Sequence, residues 1–244
     1  MDSKHRHELK TDEFTVAAVT LADRVAEHRT TILGAVAVLL ALLVIGGGVM
    51  AWRANQSNNA GALLGIAMAT AQAQVAPAPA VTLPGGAPAP TGTFPTEQAR
   101  AEAAIAAFNA VVAQYPGTEP ANAAAYYAAA ELLAVGRAAE AELAFAAVVT
   151  SEGNSLRGQS AKLGQAEAMM AGGKTDDALK LFAELAAVRD GALPIDGLLM
   201  QLGRASQRAG KTSEARAAFQ RVVDEFPESG YVQDAQARLA AATN

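Results

Sequence analysis

Two copies of a Gly-Lys-Thr triplet are the residues in this 244-residue sequence whose types and spacing could bind a phosphate. They are Gly173-Lys174-Thr175 and Gly210-Lys211-Thr212. A phosphate-binding loop also needs a glycine five residues before the glycine of the triplet, so that backbone amides can surround the phosphate. Ala168 and Ala205 occupy that position here, and no strand pattern precedes either copy. We therefore interpret both triplets as turns and predict that the chain binds no nucleotide.

The other side chains with catalytic potential are also poorly placed for catalysis. The three histidines, His5, His7 and His28, all precede a long uncharged stretch, and the sequence contains no cysteine. His5 and His7 have the spacing of two metal ligands, but a solvated terminus does not hold the geometry of a metal site. Carboxylate pairs such as Asp176-Asp177 are typical of the ends of helices. We predict no catalytic, metal or cofactor site and no enzymatic activity; an enzyme of an unrecognised type is the alternative.

The elements that position any site repeat along the chain with a step of 37 residues. A phenylalanine recurs at Phe108, Phe145, Phe182 and Phe219. An alanine recurs four residues before each of them, at Ala104, Ala141, Ala178 and Ala215. The same step relates the glycines Gly136, Gly173 and Gly210 and the apolar residues Val111, Val148, Leu185 and Val222. Repetition at this period is typical of an array in which each unit buries its apolar side against its neighbours.

A single repeat has the pattern of a helical hairpin. Residues 195–209 carry apolar side chains at helical spacing, and Gly210 follows as the residue that ends this first helix. Thr212 offers an N-cap hydroxyl for a second helix, which Pro227 ends. We expect Phe219 to fill the space between this hairpin and the next.

The last repeat resembles the tetratricopeptide repeat. The residues at the spacing of that motif are Leu199, Leu202, Gly203, Ala215, Phe219 and Pro227, with Ser206 where an aromatic residue is usual. The resemblance implies an all-α fold, a tetratricopeptide-like α-solenoid of about four hairpins. Its first helix lies in 53–75, the repeat domain continues over 96–244, and a capping helix over 229–241 ends it. In the third hairpin, Leu163-Gly164 lies two residues from the place that Leu202-Gly203 predicts, and an extra residue pair at Gly172-Gly173 is our explanation.

In a stack of hairpins the first helices line a concave groove, and we place the protein-binding site there. The candidate groove residues are Tyr126, Leu133, Met170, Met200, Arg204 and Gln207. Methionine side chains repack easily, so such a groove suits extended or helical segments of varied sequence. The alternative interpretation is that Tyr126 and the methionines merely pack between hairpins.

An uncharged stretch over 30–52 predicts a single N-terminal transmembrane helix. At about 1.5 Å per residue it is long enough to cross a hydrocarbon core of roughly 30 Å. A cleaved signal peptide is the alternative, but the apolar run is longer than such a peptide needs. Residues 1–29 are interpreted as a cytosolic tail whose segment 11–29 forms an amphipathic helix. This helix lies on the membrane, docks on a partner or only leads into the span.

The distribution of charge indicates which side of the membrane each part occupies. Five basic residues precede the span, and Arg53 is the only one after it before Arg100. The positive-inside rule therefore predicts a cytoplasmic N-terminus, with the repeats in the periplasm of a bacterium that has two membranes. The net charge of −5 and the lack of a basic cluster in the repeats argue against nucleic acid as a partner.

The first repeat is predicted to be interrupted. Residues 53–75 form its first helix, in which a polar NQSNN stretch leads into a helix that begins at Gly61. Residues 76–95 hold six of the ten prolines and predict a flexible Pro/Ala-rich insertion without regular structure. The second helix of the repeat resumes at Thr96.

The order of these parts resembles the YfgM-type ancillary subunit of the Sec translocon, a family with one membrane anchor and periplasmic repeats. The resemblance implies a non-enzymatic protein of the bacterial inner membrane that binds translocon subunits, periplasmic chaperones or exported clients. The C-terminal run AFQRVVDEFPESGYVQDA is also similar to envelope scaffolds. A scaffold for cell-division, cell-wall or outer-membrane assembly machinery is therefore the second hypothesis.

Overall fold

The computed structural model describes residues 29–76, 93–189 and 191–241. These residues form nine α-helices and one pair of short strands. The helices are α1 (Arg29–Ala71), α2 (Glu97–Gln114), α3 (Glu119–Ala134), α4 (Ala138–Glu152), α5 (Leu156–Ala171), α6 (Thr175–Ala187), α7 (Ile195–Arg208), α8 (Thr212–Glu225) and α9 (Val232–Ala241). The chain divides into two compact units, Met1–Asn55 and Gln56–Asn244. The predicted helix over 11–29 falls, except for its last residue, outside the described residues, as do the histidines and most of the predicted insertion.

The first helix, α1, is longer than the sequence predicted. The sequence predicted a span over 30–52 and a separate helix from Gly61, but one helix continues without interruption to Ala71. The polar NQSNN stretch between them contains neither proline nor glycine, so nothing in it breaks the backbone hydrogen bonds. After this stretch, Ala60 and Ala67 are fully buried in the second unit, and their packing stabilises the helical conformation.

The part of α1 in the first unit is apolar on all sides. Its large side chains are exposed to the surroundings at Leu33, Val38, Leu39, Leu40, Leu42, Leu43, Val44, Ile45, Val49, Met50 and Trp52. Within the described part of the chain, α1 is the one helix that is long and apolar enough to cross a membrane.

Two short strands flank the proline-rich segment. Strand β1 (Gln74–Val75) pairs in parallel with β2 (Thr93–Phe94), and the amide of Ala76 donates to the carbonyl of Phe94 at 3.0 Å. The prediction that 76–95 has no regular structure is therefore wrong at Thr93 and Phe94. Both residues keep the backbone N–H that proline lacks, so they can join a ladder. Residues 77–92 lie outside the described part of the chain.

From α2 to α9, each helix packs on the next one along the chain. The C-terminal part of α1 shares one core cluster with α2 and α3, and three complete hairpins follow: α3 with α4, α5 with α6, and α7 with α8. The last helix, α9, packs on α8 and begins at Val232, three residues later than predicted. The helix begins later because a turn precedes it. In this turn the amide of Val232 donates to the carbonyl of Ser229. The described residues thus form the all-α solenoid that the repeat pattern predicted.

The residues that recur at 37-residue steps form the core. All four repeated phenylalanines are 1–2% exposed. The repeated alanines (Ala104, Ala141, Ala178, Ala215) and the apolar residues three positions after each phenylalanine (Val111, Val148, Leu185, Val222) are buried as well. Each second helix therefore presents the same apolar stripe, and the four core clusters follow one another along the stack.

The Gly-Lys-Thr triplets end helices. Gly173 and Gly210 have φ angles of 81° and 73°, which are strained for residues with a Cβ atom. The amide of Lys174 donates to the carbonyl of Met169 at 2.8 Å, and that of Lys211 donates to Ser206 at 2.9 Å. This is the Schellman pattern, in which the amides that follow the helix bond back to its last carbonyls.

The prediction that Thr212 is an N-cap is wrong. Thr212 is the first helical residue of α8, and Lys211 holds the cap position without a side-chain hydrogen bond. The Schellman turn leaves one residue, Lys211, between its glycine and the next helix, so the threonine is already inside the helix. Thr96 shows the geometry that was expected of Thr212, because its hydroxyl accepts a hydrogen bond from the amide of Ala99 at 3.1 Å.

The third hairpin keeps the register of the others. A Cβ atom on Gly203 would lie 2.4 Å from the ring of Phe219, so this glycine makes room for the phenylalanine of its own hairpin. The residue 37 positions earlier is Ala166, which is fully buried in one cluster with Phe182. Gly164 has a different contact, because a Cβ atom there would lie 2.5 Å from the ring of Phe145 in the preceding hairpin. The apparent shift of two residues is therefore not an insertion.

We expect substitution by alanine to change the stability of the fold in opposite directions at two helical glycines. Gly203→Ala places a methyl group against the Phe219 ring and should destabilise the fold by about 1–3 kcal/mol, the usual cost of overpacking. Gly65→Ala adds the same group to α1 where nothing lies within 4 Å, and should stabilise it by about 0.5–1 kcal/mol. Urea denaturation of each variant, followed by circular dichroism, measures both changes. Equal effects at the two positions would contradict the close contact.

Candidate functional site

Three hollows lie along the side of the repeat unit formed by the first helices α3, α5 and α7. The central hollow, about 590 Å³, is lined by residues that include Leu133, Glu167, Met170, Gln201 and Arg208. The tyrosine hollow, about 350 Å³, is lined by residues that include Tyr126, Leu133, Leu163 and Glu167. The C-terminal hollow, also about 350 Å³, is lined by residues that include Leu163, Asp196, Gln201 and Tyr231.

The three hollows share their walls. Leu133 and Glu167 separate the central hollow from the tyrosine hollow, Leu163 lies between the tyrosine and C-terminal hollows, and Gln201 lies between the central and C-terminal ones. They therefore form one continuous surface. We call it the groove and define it by Tyr126, Leu133, Leu163, Glu167, Met170, Gln201 and Arg208.

Three of the six residues predicted for the groove line it. Tyr126, Leu133 and Met170 do so. Met200 does not, because it is 1% exposed and belongs to the core cluster of the last hairpin. For this methionine the alternative interpretation, packing between hairpins, is the correct one.

The remaining two predicted residues, Arg204 and Gln207, are engaged with α9. Arg204 Nη2 lies 2.6 Å from Asp234 Oδ2, and Arg238 Nη1 donates to Gln207 Oε1 at 3.0 Å. Ala235 of the same helix is fully buried beside Met200 in the last core cluster. Ala235 also stands 37 residues after Leu198, so α9 occupies the place of a further first helix and covers this end of the solenoid.

Sequence reasoning missed Leu163 and Glu167. Leu163 stands 37 residues after Tyr126, and Glu167 stands 37 residues before Arg204. The supposed shift of register in the third hairpin hid both positions. The repeat step itself was the signal that identifies them, because the third hairpin follows it without an insertion. For Gln201 and Arg208, the other residues that were missed, the repeat step gives no comparable signal.

Charge in the groove centres on Glu167, which is partly buried on α5. Burial raises the pKa of this carboxyl above its usual range, although Arg208 on α7 opposes the effect. Burial, with the nearby charge of Glu167, likewise raises the pKa of the Tyr126 phenol. Within the described residues, the carboxylate of Glu167 takes part in no hydrogen bond or ion pair, so Arg208 acts on it only through space.

The aromatic side chains beside Glu167 are fixed by mutual packing. The ring of Tyr126 lies edge-on to Phe145 with centroids 5.8 Å apart, and edge-on to Tyr127 at 5.7 Å. Such contacts hold a ring in one orientation. The groove therefore offers apolar walls, one fixed phenol, one partly buried carboxylate and the exposed guanidinium of Arg208. These groups suit binding, and the described residues contain no cluster of three or more potential metal ligands.

A larger hollow, about 660 Å³, lies between the second helices α6 and α8. Its basic side chains already have partners. Lys211 Nζ lies 2.6 Å from Asp176 Oδ1, and Arg221 Nε lies 2.6 Å from Glu225 Oε1. Because its cations are already paired, this surface offers a partner less unsatisfied charge than the groove does.

Comparison with known proteins agrees with the fold. The tetratricopeptide repeat family matches residues 198–229, which include most of α7 and all of α8. Among solved structures, the chain is similar to the nearly identical TPR-like repeats of a kinesin-light-chain-like protein from Podosopora anserina, with 22% identity and a TM-score of 0.50 over 59% of this chain and 77% of that one. A point variant of the same protein matches at 22% identity over the same shares, with a TM-score of 0.49. No curated protein sequence gives a significant match.

The fold is therefore that of a tetratricopeptide-like α-solenoid, a class of scaffold on which proteins bind one another. The family match rests on the last hairpin. The shared packing of the four phenylalanines extends the same architecture through the earlier hairpins.

Stability should depend on pH through Glu167. Because its pKa is raised in the folded protein, the ionised form is less stable there than in the unfolded chain. Stability should therefore fall as the pH rises above the ordinary glutamate pKa of about 4.3. Glu167→Gln removes this loss, so the melting temperature of the variant should rise relative to wild type between about pH 4 and about pH 7.

Glu225→Gln provides a control of opposite sign. Arg221 lowers the pKa of the Glu225 carboxyl, so its ionised form stabilises the fold above the ordinary pKa and ceases to do so as the pH falls. This variant should melt below wild type at neutral pH and converge with it in acid. Parallel curves for wild type and Glu167→Gln across the range would show that Glu167 is not strained by burial.

Proposed function

We propose that this protein is a membrane-anchored, periplasmic interaction module that assists the Sec translocon or its periplasmic chaperones in handling exported proteins. The observation that carries the proposal is the groove, where apolar walls and the unpaired charge of Glu167 remain uncovered on the first-helix side of a protein-binding fold. Extended or helical protein segments bind to surfaces of this kind through apolar contacts and a few polar groups.

The anchor in this proposal is α1. Leu40 is 56% exposed, and its apolar neighbours on the helix are exposed as well. Water is a poor solvent for such a surface, whereas lipid or another membrane helix would cover it. The excess of basic residues before the span supports a cytoplasmic N-terminus. The order of tail, span and repeats supports the translocon as the site of action, by its resemblance to the YfgM-type subunit.

Photo-crosslinking in native membranes tests the proposed role. A photoreactive residue at Gln201 samples the groove, and one at Leu40 samples the membrane. Leu143 on α4 is 72% exposed and lines none of the hollows described above, so it serves as the control position. We expect translocon subunits to be captured from Leu40, and exported chains or chaperones to be captured from Gln201 but not from Leu143.

The same experiment distinguishes the second hypothesis. Capture of cell-division, cell-wall or outer-membrane assembly proteins from both Gln201 and Leu40, without translocon subunits, would replace the translocon role by that of an envelope scaffold. Capture from Leu143 in the same amounts as from Gln201 would show that the groove is not the docking surface.

Labelling of single cysteines tests the predicted orientation. The natural chain contains no cysteine, so each introduced thiol is the only target. Ser213→Cys lies at an exposed position of α8, and Ser3→Cys lies in the N-terminal tail. A membrane-impermeant maleimide applied to cells with a permeabilised outer membrane should label Ser213→Cys and spare Ser3→Cys, and lysis should expose both. The reverse pattern would place the repeats in the cytoplasm.

A further inference from the structure

The groove contains a carboxylate that has no counter-charge in direct contact among the residues that the structure describes. Glu167 lies on the wall shared by the central and tyrosine hollows. Across the described residues its carboxylate accepts no hydrogen bond, and no cationic side chain lies within the 4.0 Å of an ion pair. A partly buried carboxylate has lost some of its water and gains more from a cation than an exposed one does.

Other charged groups around the groove already have partners or are exposed. Asp196 in the C-terminal hollow accepts hydrogen bonds from Ser229 Oγ at 2.6 Å and from the amide of Gly197 at 2.9 Å. Arg208 is exposed and remains hydrated, so an anion gains less by replacing its water. Of the charges in the groove, that of Glu167 therefore stands to gain most from a partner.

The surroundings of Glu167 also fit the rest of a basic side chain. Leu133 and Leu163 provide apolar surface for the methylene stem of a lysine or arginine. The ring of Tyr126 lines the same hollow as Glu167, and aromatic rings attract cations. The two hollows that meet at Glu167 have volumes of about 590 and 350 Å³, which leaves room for neighbouring apolar side chains of the same segment.

We propose that the groove selects an apolar protein segment that carries a lysine or arginine, whose cationic end pairs with Glu167. This inference rests on the proposed role of the groove as a docking surface and names the chemistry of its occupant. Charge complementarity is the reason for the choice: a purely apolar segment would bury Glu167 further without a partner, and an acidic segment would place like charges together.

Selection from a displayed library of random peptides tests the proposal with full-length protein in lipid nanodiscs. Empty nanodiscs remove the peptides that bind lipid. Wild-type protein should enrich peptides with a lysine or arginine among apolar residues. The strongest of these peptides is then synthesised twice, once as selected and once with norleucine in place of its basic residue.

A double-mutant cycle on the synthetic peptides locates the contact. Glu167→Gln should weaken binding of the basic peptide at least about tenfold, which corresponds to about 1.4 kcal/mol. The norleucine peptide should bind the wild-type protein more weakly than the basic peptide does, with a similar loss of affinity. The Glu167→Gln variant should bind the norleucine peptide no more weakly than it binds the basic peptide. Glu184→Gln is the matched control, because Glu184 is exposed on α6, pairs with Lys162 at 3.1 Å and lines none of the hollows. It should bind like wild type.

Each outcome bears on a different claim. Enriched peptides without a basic residue, or equal binding by wild type and Glu167→Gln, would overturn the pairing with Glu167 and leave the groove as a docking surface. No enrichment over empty nanodiscs would overturn both the pairing and the peptide-binding role. Circular dichroism of Glu167→Gln separates lost binding from lost structure, and the raised pKa of Glu167 indicates that this variant is at least as stable as wild type at neutral pH.

Discussion

The contact between a phenylalanine ring and a small residue of the neighbouring first helix is the interaction on which the rest of the structure depends. Phe219 packs so closely on Gly203 that a Cβ atom there would lie 2.4 Å from the ring. Phe182 shares a cluster with the fully buried Ala166 in the same way. Removal of such a ring from a core usually costs about 3–5 kcal/mol. Helices of 13 to 18 residues, as in these hairpins, are marginal alone, so these contacts convert a helical tendency into a stack.

A stack held together in this way has an open side. Each hairpin contacts mainly its neighbours along the chain, so the outward surfaces of α3, α5 and α7 are only partly covered by packing against the core. They are left to form the groove. At the C-terminal end, α9 takes the place of a further first helix and covers Met200. The same packing that extends the solenoid therefore removes its last hairpin from the binding surface.

The charge in the groove, more than its shape, determines which chemistry a partner needs. Most ion pairs in the described residues lie on exposed surfaces, where they contribute little. Glu167 differs, because it is partly buried, has no partner in contact and raises the pKa of Tyr126 beside it. A local departure from the rule that buried charges are paired is expected at functional positions. The groove thus combines apolar walls with a carboxylate that has no partner among the described residues.

The sequence by itself determined the helical hairpins, because the 37-residue step of phenylalanine, alanine and glycine prescribes the same contacts in each unit. It also determined the glycine turns, which need a positive φ, and an apolar helix long enough to cross a membrane. Only the tertiary structure decided that Met200 is buried, that α1 runs unbroken to Ala71 and that the Glu167 carboxylate lines the groove without a partner among the described residues. These features depend on which helix lies against which, and periodicity along one chain does not contain that information.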